Sequence, residues 1–520
     1  MYQLNKASLM TKAVQVGTST LASRFFGIIR ELLMARYLGS GMLADAFFTA
    51  FKIPNLLRKI FAEGALSAAF VPTFVKTVRE KGIEEANSLM TLTFIIFEGI
   101  VFLLCVLMAW QAQWVIYLVA PGFSAEQVTY TVSFFTILIP FILFLSSNAL
   151  FAGALQSAGH FFVPALAPIL LNVTMIVGLL ICWTYNLSVR YFCFFILFGG
   201  FLQLCIHAIT YFNLEFSFAR VKKSSFKLFQ EIVVTFIPCL LSMSIMEVSL
   251  FIDTTFASYL PEGSIALLYY ANRFVGIPLG VFAVSFSTIL LPHFVRISIY
   301  APKRLSFYLL ESAKIVFWVT IPTMLLMIFF SEKIFSTFFL SERFSYQHVQ
   351  QARLILVAFV AGLFFFSLNK IILNIYYALN QRVYTFFIAL AALIVNVTMD
   401  FMLIGSYQAT GLALATTFSA IAQTAVSLWI LHYFFKFPFY GRAFIRFSSG
   451  CIMQWLLAGG LFMIVYSCIE YSWSLSYPEM QLFFLNSIGY WLWAGPLALG
   501  VLAFLYGTRK HFNINLYFLD

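Results

Sequence analysis

The sequence predicts an all-α polytopic membrane protein with about fourteen transmembrane helices, arranged as two six-helix repeats followed by two C-terminal helices. Three observations support this prediction. Hydrophobic residues make up 62% of the 520-residue chain and charged residues only 10%, whereas soluble domains carry about 25% charged residues. The mean hydropathy is +0.93. A segment in the first half of the chain recurs in the second half.

Apolar stretches of about 20 residues, each long enough to cross the hydrocarbon core of a bilayer, recur from end to end. The first one follows Lys6 and Lys12 without a small-residue cleavage site, so we expect a retained helix and no cleavable signal peptide. The seven cysteines contain no CxxC motif and predict neither a disulfide framework nor a zinc site. We predict spans at 12–37, 44–75, 87–110, 128–155, 161–185, 190–214, 228–259, 264–297, 307–330, 352–378, 383–405, 411–435, 444–470 and 486–508.

The distribution of loop charges predicts the orientation of the chain. If the N-terminus is cytoplasmic, most loop lysines and arginines lie on the cytoplasmic side, among them Lys76, Arg79 and Arg220. The opposite side holds Arg190, Lys333, Arg343 and Arg353. This positive-inside bias predicts that both termini are cytoplasmic. Because the net charge of +11 follows from this bias and from contact with anionic lipid, we predict no nucleic-acid partner.

An internal repeat predicts the domain organisation. The segments "ALQSAGHFFVPALAPILLNVTM" (154–175) and "ALNQRVYTFFIALAALIVNVTM" (378–399) align without gaps and share the polar tetrad NVTM. We predict an N-terminal half at 1–220, a C-terminal half at 221–436 and two extra helices at 437–520. Parallel halves of this kind can rock about a central cavity, which favours a transporter that works by alternating access.

Charged residues interrupt spans one, two and eight, although a charge at the bilayer centre costs about 2.5–3.5 kcal/mol. Pairing within the set would neutralise part of it, and this alternative stays open for Arg24 with Glu31, Lys52 with Asp45, and Lys59 with Glu63. Once these pairs are set aside, Arg30, Arg58 and Arg273 still lack obvious acids. The excess positive charge predicts a cationic central cavity for an anionic substrate, and the planar arginine fork suits phosphate.

The charged segment also carries a family resemblance. "ASRFFGIIRELLMARYLGSGMLADAFFTAFKIPNLLRKIFAEGALSAAFVP" (22–72) closely resembles the N-terminal signature of the MurJ (MviN) lipid II flippases, of the multidrug/oligosaccharidyl-lipid/polysaccharide exporter superfamily. "LVAPGF" (118–123) and "YYANR" (269–273) resemble further family segments. The resemblance implies export of lipid II, an undecaprenyl-diphosphate-linked peptidoglycan precursor, from the inner to the outer leaflet of the bacterial cytoplasmic membrane.

By matching motif positions, the resemblance implicates Arg24, Arg30, Asp45, Arg58, Glu63 and Arg273. Together with the charge pattern, it leads us to expect substrate binding by Arg24, Arg30, Lys52, Arg58 and Arg273. We expect gating or charge organisation from Glu31, Asp45, Lys59 and Glu63. Two residues depart from the family pattern, since Lys59 stands where many relatives have arginine and Asn272 where aspartate is common. The resemblance also makes the last two helices a candidate groove for the lipid tail.

Two further intramembrane acids, Asp253 and Asp400, have no basic residue within one helical turn. Asn396 lies one turn before Asp400, and Thr416 and the Leu412 carbonyl could add oxygen ligands from the next helix. Hard oxygen ligands suit sodium, and some family members resemble this arrangement in binding sodium there. We therefore predict a sodium site that biases alternating access. A protonation site, or acids that are protonated or face water, are the alternatives.

Other functions fit the sequence less well. A flippase for another polyprenyl-diphosphate oligosaccharide and a cation-coupled small-molecule antiporter are the nearest alternatives. We predict that the chain is not an enzyme, because its six histidines are dispersed and no DxxD motif is present. A scaffold of cell-wall synthesis would not explain arginines in mid-span. We expect no cofactor besides the sodium ion, and we expect a monomer whose partners are lipid II, membrane lipids and cell-wall synthesis proteins.

Overall fold

The computed structural model describes residues 6–57 and 66–518. Within these ranges the chain is almost entirely helical and forms no named strand; a single bridge joins Ser341 and Phe344. By its packing the chain divides into two compact units, Met1–Ala266 and Leu267–Asp520. The boundaries predicted at residues 220 and 436 mark the ends of the sequence repeats. They are not boundaries of packing, so they stay a prediction.

The first unit is built from helices wherever the structure describes it. In chain order they are α1 (Lys6–Leu38), α2 (Met42–Leu57), α3 (Leu66–Lys81), α4 (Ile83–Trp110), α5 (Ala112–Val119), α6 (Ala125–Leu138), α7 (Phe141–Ser157), α8 (Phe162–Thr184), α9 (Val189–Asn213) and α10 (Lys223–Ala257). Pro140 separates α6 from α7 within the predicted span 128–155, because proline has no N–H to continue the helical ladder.

The second unit begins within α11 (Ser264–Pro278), which continues through a π-helical turn, Leu279–Val284. It then contains α12 (Ser285–Tyr300), α13 (Leu305–Phe338), α14 (Tyr346–Val360), α15 (Leu363–Ala378), α16 (Arg382–Phe435), α17 (Gly441–Ser474), α18 (Pro478–Asn486) and α19 (Tyr490–Thr508). Short 3₁₀ turns, Pro302–Arg304 and Arg509–Phe512, precede α13 and follow α19.

The predicted all-α membrane architecture is confirmed. Among the described residues, ten helical stretches are long and apolar enough to cross a membrane. The predicted spans are helical over most of their length where the structure describes them, with short turns inside 128–155, 352–378 and 486–508. The number fourteen stays a prediction, because α1, α10 and the α2–α3 segment are not among the ten stretches.

Helix α16 is two antiparallel helices rather than one. At 54 residues it would extend about 81 Å at 1.5 Å per residue, far beyond the roughly 30 Å of hydrocarbon. Gln408 breaks the helix with φ 47° and ψ −132°. A side chain on Gly411 would come within 2.6 Å of the Leu403 carbonyl oxygen, and Ser419 donates to the Ala392 carbonyl oxygen at 2.6 Å. The two limbs match the predicted spans 383–405 and 411–435.

Both copies of the sequence repeat fold into the same local structure. Each begins near the end of one helix, turns, and forms the first half of the next helix, α8 or α16. The turns hold a left-handed residue, Gly159 or Asn380, and the following N–H bonds back five residues, to Leu155 or Tyr376. This is the Schellman arrangement, which satisfies carbonyls at a helix C-terminus. The shared sequence therefore encodes a shared helix–turn–helix.

A buried glutamine ties the last two long helices to the rest of the second unit. Gln454 of α17 accepts a hydrogen bond from Trp318 Nε1 of α13 at 3.0 Å. Its amide donates to the Leu505 carbonyl oxygen and the Thr508 hydroxyl of α19, at 2.7 and 2.8 Å. Because an unpaired amide inside a bilayer is costly, these bonds fix how α17 and α19 pack on α13.

Candidate functional site

A polar network connects α1 to α8 inside the first unit. Arg30 is mostly buried, forms an ion pair with Glu31 and donates from Nη1 to Asn172 Oδ1 at 2.7 Å. The Asn172 amide donates in turn to the Ser23 carbonyl oxygen at 3.0 Å. Asn172 is the first residue of the repeated NVTM tetrad. The arginine fork therefore reaches a carboxylate and an amide at the same time, each through a different nitrogen.

Lys52 of α2 is held by α10. Its ammonium group donates to the Leu250 carbonyl oxygen at 2.5 Å and to the Thr254 hydroxyl. Thr254 is buried and also donates to the Leu250 carbonyl oxygen at 2.9 Å. Both acceptors are uncharged oxygens, and together they fix the position of the Lys52 ammonium group.

Asp45 caps the turn between α10 and α11. Its two carboxylate oxygens accept backbone N–H groups from Gly263 at 2.6 Å and Ala266 at 2.8 Å, and the residue is only 2% exposed. The N–H groups of a first helical turn have no partner within the helix, so an anion there is stabilised. Gly263 has φ +91° and packs against the Ser40 carbonyl oxygen, where a side chain would collide.

The other predicted cations differ in their surroundings. Arg24 of α1 is exposed. In the second unit, Arg273 is exposed, its Nη2 donates to the Tyr269 hydroxyl at 2.6 Å, and its guanidinium carbon lies 4.7 Å from the centre of that ring. Such a cation–π contact orients the guanidinium group. Arg58, Lys59 and Glu63 lie outside the described residues.

The residues of the predicted sodium site divide between the two units. Asp253 lies half-buried in the first unit. In the second unit, Asn396 and Asp400 are 1% and 0% exposed on the first limb of α16. Thr416 on the second limb donates to the Leu412 carbonyl oxygen at 3.0 Å. The register of the hairpin brings these four residues of α16 to similar depths. Among the described residues, no three or more His, Cys, Asp or Glu side chains are grouped so that they could hold a metal ion.

The sequence patterns did not reveal several partners and several acids within spans. The partners are Asn172, Thr254 and Tyr269, which contact predicted cations; none is charged, and Asn172 and Thr254 come from distant segments. Among the acids is Glu98 of α4, which is 9% exposed and accepts a hydrogen bond from Ser146. A signal for it was present, because Glu98 is an acid inside an apolar span with no basic residue within one turn.

Comparison with known proteins identifies the family. A family model described as "Lipid II flippase MurJ" matches residues 34–484, which is most of the chain. This chain belongs to the MurJ family. A MurJ-family protein of Rhizobium meliloti (strain 1021), named "Probable lipid II flippase MurJ", is 32% identical over 424 residues, covering 78% of each chain. A relative with the same name from Buchnera aphidicola subsp. Schizaphis graminum is 29% identical and covers 85% of each.

Solved structures agree with the MurJ assignment. A structure described as "Lipid II flippase MurJ, inward closed conformation" matches with a TM-score of 0.77 at 26% identity, and the match covers 96% of this chain and 99% of that one. An inward-facing multidrug resistance MATE family transporter of the MOP superfamily matches with a TM-score of 0.68 at 14% identity, which shows a common fold alone. The MurJ family thus places this multi-pass membrane protein among flippases rather than in a class of enzymes.

Proposed function

We propose that this protein is a lipid II flippase that moves the lipid-linked peptidoglycan precursor from the inner to the outer leaflet of a bacterial cytoplasmic membrane. The observation that carries the proposal is the set of cations inside a MurJ-family membrane fold: Arg24, Arg30 and Lys52 in the first unit and Arg273 in the second. A diphosphate is the part of lipid II that such cations bind, and arginine binds phosphate oxygens through two N–H groups at once.

The contacts of these cations suggest a division of roles. Arg30 and Lys52 are held in fixed positions by protein oxygens. Arg24 and Arg273 are exposed and are the described residues best placed to contact the diphosphate or its sugars. Arg58, which lies outside the described residues, remains a predicted contact. Glu31 and Asp45 organise charge, the first beside Arg30 and the second at the α10–α11 turn.

We propose that both termini lie in the cytoplasm and that transport proceeds by alternating access. The loop charges support this orientation, because cytoplasmic loops retain an excess of lysine and arginine. The likeness to transporters of the MOP superfamily supports the transport mode. In this orientation the α10–α11 turn, which Asp45 caps, lies on the extracytoplasmic side.

Replacing the essential lipid II flippase of a bacterium by this chain tests the function. We expect the wild-type chain to support growth and Arg24→Ala and Arg273→Ala each to fail, although both variants reach the membrane in normal amounts. Arg190→Ala removes an exposed arginine at the start of α9 and serves as the matched control, which should support growth. Normal growth of both variants would contradict the proposal, and failure of the wild type would favour another lipid-linked oligosaccharide as substrate.

We further propose that sodium binds near Asp400. Two features support this: Asn396 and Asp400 are buried one turn apart, and the hairpin brings Thr416 and the Leu412 carbonyl to a similar depth. Bound sodium should stabilise the purified protein against unfolding by about 1.4 kcal/mol at ten times its dissociation constant. Asp400→Asn should lose this stabilisation, whereas the exposed loop variant Glu342→Gln should keep it. If sodium, compared with potassium, stabilises the wild type and Asp400→Asn against unfolding to the same extent, the hypothesis is wrong.

A further inference from the structure

Glu98 is an acid in the middle of a membrane-spanning helix. Helix α4 runs from Ile83 to Trp110 and is about 42 Å long at 1.5 Å per residue. Glu98 lies near its midpoint and is only 9% exposed. An ionisable side chain at this depth is expensive to keep in a membrane protein and therefore marks a functional site more often than a structural one.

The hydrogen bonds around Glu98 come from hydroxyl groups and leave one oxygen unused. Ser146 of α7 donates to Glu98 Oε2 at 2.8 Å, and the buried Ser147 lies beside the same carboxyl group. Glu98 Oε1 is buried and has no hydrogen-bond partner among the residues that the structure describes. No described residue places a cationic side chain against this carboxyl group.

The helices packed against α4 offer no counter-charge either. Helix α7 has no ionisable side chain. Cys105 lies two turns along the same face of α4, and its thiol is directed at the Ile139 carbonyl oxygen at 3.7 Å. No hydrogen bond or ion pair joins Glu98 to any described ionisable group of the neighbouring elements: Glu84, Glu85 and Cys105 of α4, Lys76, Arg79, Glu80 and Lys81 of α3, Tyr117 of α5, and Lys223, Lys227, Glu231, Cys239, Glu247 and Asp253 of α10.

A carboxylate in this position requires a cation or a proton. An isolated ionised carboxylate in an apolar medium is so unfavourable that the group becomes neutral instead. A hard metal ion such as Ca²⁺ takes about six to eight oxygen ligands, whereas Glu98, Ser146 and Ser147 together provide four side-chain oxygens. A proton needs no ligand shell. A protonated carboxyl can also accept the Ser146 hydrogen bond on one oxygen while the other oxygen carries the proton.

We propose that Glu98, with Ser146 and Ser147, forms a proton-binding site of the first unit. The proton is held on the carboxyl group in the arrangement seen here, and it passes to water when the contact between α4 and α7 opens. This site is chemically separate from Asp253 and Asp400. It rests on the geometry of the first unit and not on the identity of the transported lipid.

Infrared difference spectroscopy of the purified full-length protein tests the site directly. A step from neutral to alkaline pH should remove a carboxylic-acid C=O band from the wild-type spectrum as Glu98 loses its proton. Glu98→Gln should lack this band. Ser146→Ala keeps the carboxyl group but removes one hydrogen bond, so the band should persist at a shifted frequency. This second variant keeps the proposal testable if Glu98→Gln folds poorly.

The control is Glu126→Gln, which replaces an exposed acid in the first turn of α6 and should leave the band unchanged. A band that is identical in wild type, Glu98→Gln and Ser146→Ala would overturn the proposal. A band that disappears on adding sodium at constant neutral pH, but not on adding potassium, would assign a metal ion instead and would also overturn it. Because no lipid II is present, failure here leaves the flippase proposal untouched.

Discussion

Replacing Asp45 with alanine should destabilise the protein by about 3 kcal/mol and stop it from supporting growth as a lipid II flippase. Asp45 accepts two backbone N–H groups from the α10–α11 turn and is almost fully buried. A hydrogen bond to a charged group contributes about 1.5–3 kcal/mol, and the variant leaves two donors without an acceptor. Arg273 lies further along the helix that this turn begins, so a loosened turn disturbs a predicted substrate contact as well.

Unfolding of the purified variants in detergent measures this effect. Asp45→Asn should be damaging too, because its NH₂ group would face one of the N–H donors. Glu262→Gln is the matched control, because it removes an exposed acid from the same turn and, with it, a like charge near Asp45, so the free energy of unfolding should not fall. If Asp45→Ala were as stable as Glu262→Gln, the turn would not depend on the carboxylate.

The helices of this protein could be predicted well because their signal is local. Apolar length marks each span, and Pro140 and the repeated turns mark where helices bend or end. The break at Gln408 was predicted as a short connection between two spans, and the collision that Gly411 avoids shows how closely the limbs approach. A bilayer reinforces such local signals, because backbone groups inside it must bond within their own helix.

The partners of the charged residues could not be predicted, because they depend on packing between distant segments. The sequence offered Asp45 as a neighbour for Lys52 on the same helix stripe. In the structure, Asp45 accepts N–H groups more than 200 positions along the chain, and Lys52 contacts α10. Backbone groups carry no sequence signature, so a charge pattern overestimates pairing between side chains. The same pattern also overlooked Glu98, whose contacts are hydroxyl groups.

The repeat carries more information than sequence similarity alone indicated. Asn172 in the first copy orients Arg30, while its counterpart Asn396 lies one turn from Asp400 in the second copy. An amide can donate to one group and accept from another. The same residue can therefore accept from a cation in one unit and stand beside an acid in the other. The two copies of the repeat thus share an asparagine, which contacts a basic residue in the first copy and lies one turn from an acidic residue in the second.

Replacing Arg30 with alanine should cost about 3–5 kcal/mol of stability, which is typical of removing one partner from a buried ion pair. Glu31 and Asn172 would both lose the guanidinium group. Arg30→Lys should be intermediate, because an ammonium group retains the charge but cannot bridge both acceptors in the same geometry. Growth support should fall in the same order, from wild type through Arg30→Lys to Arg30→Ala. Chemical unfolding of the purified variants measures the first effect and flippase replacement the second.

A double-mutant cycle separates the network from the loss of charge alone. If Arg30 acts through Asn172, then Asn172→Ala should cost little more in the Arg30→Ala background, and the coupling energy should lie within about 0.5–3 kcal/mol. Arg190→Ala, which removes an arginine at the exposed start of α9, should show no coupling to Asn172. Additive losses from Arg30→Ala and Asn172→Ala would mean that the 2.7 Å contact does not stabilise the protein. Arg30 would then act through its charge, and Arg30→Lys would be as stable as the wild type.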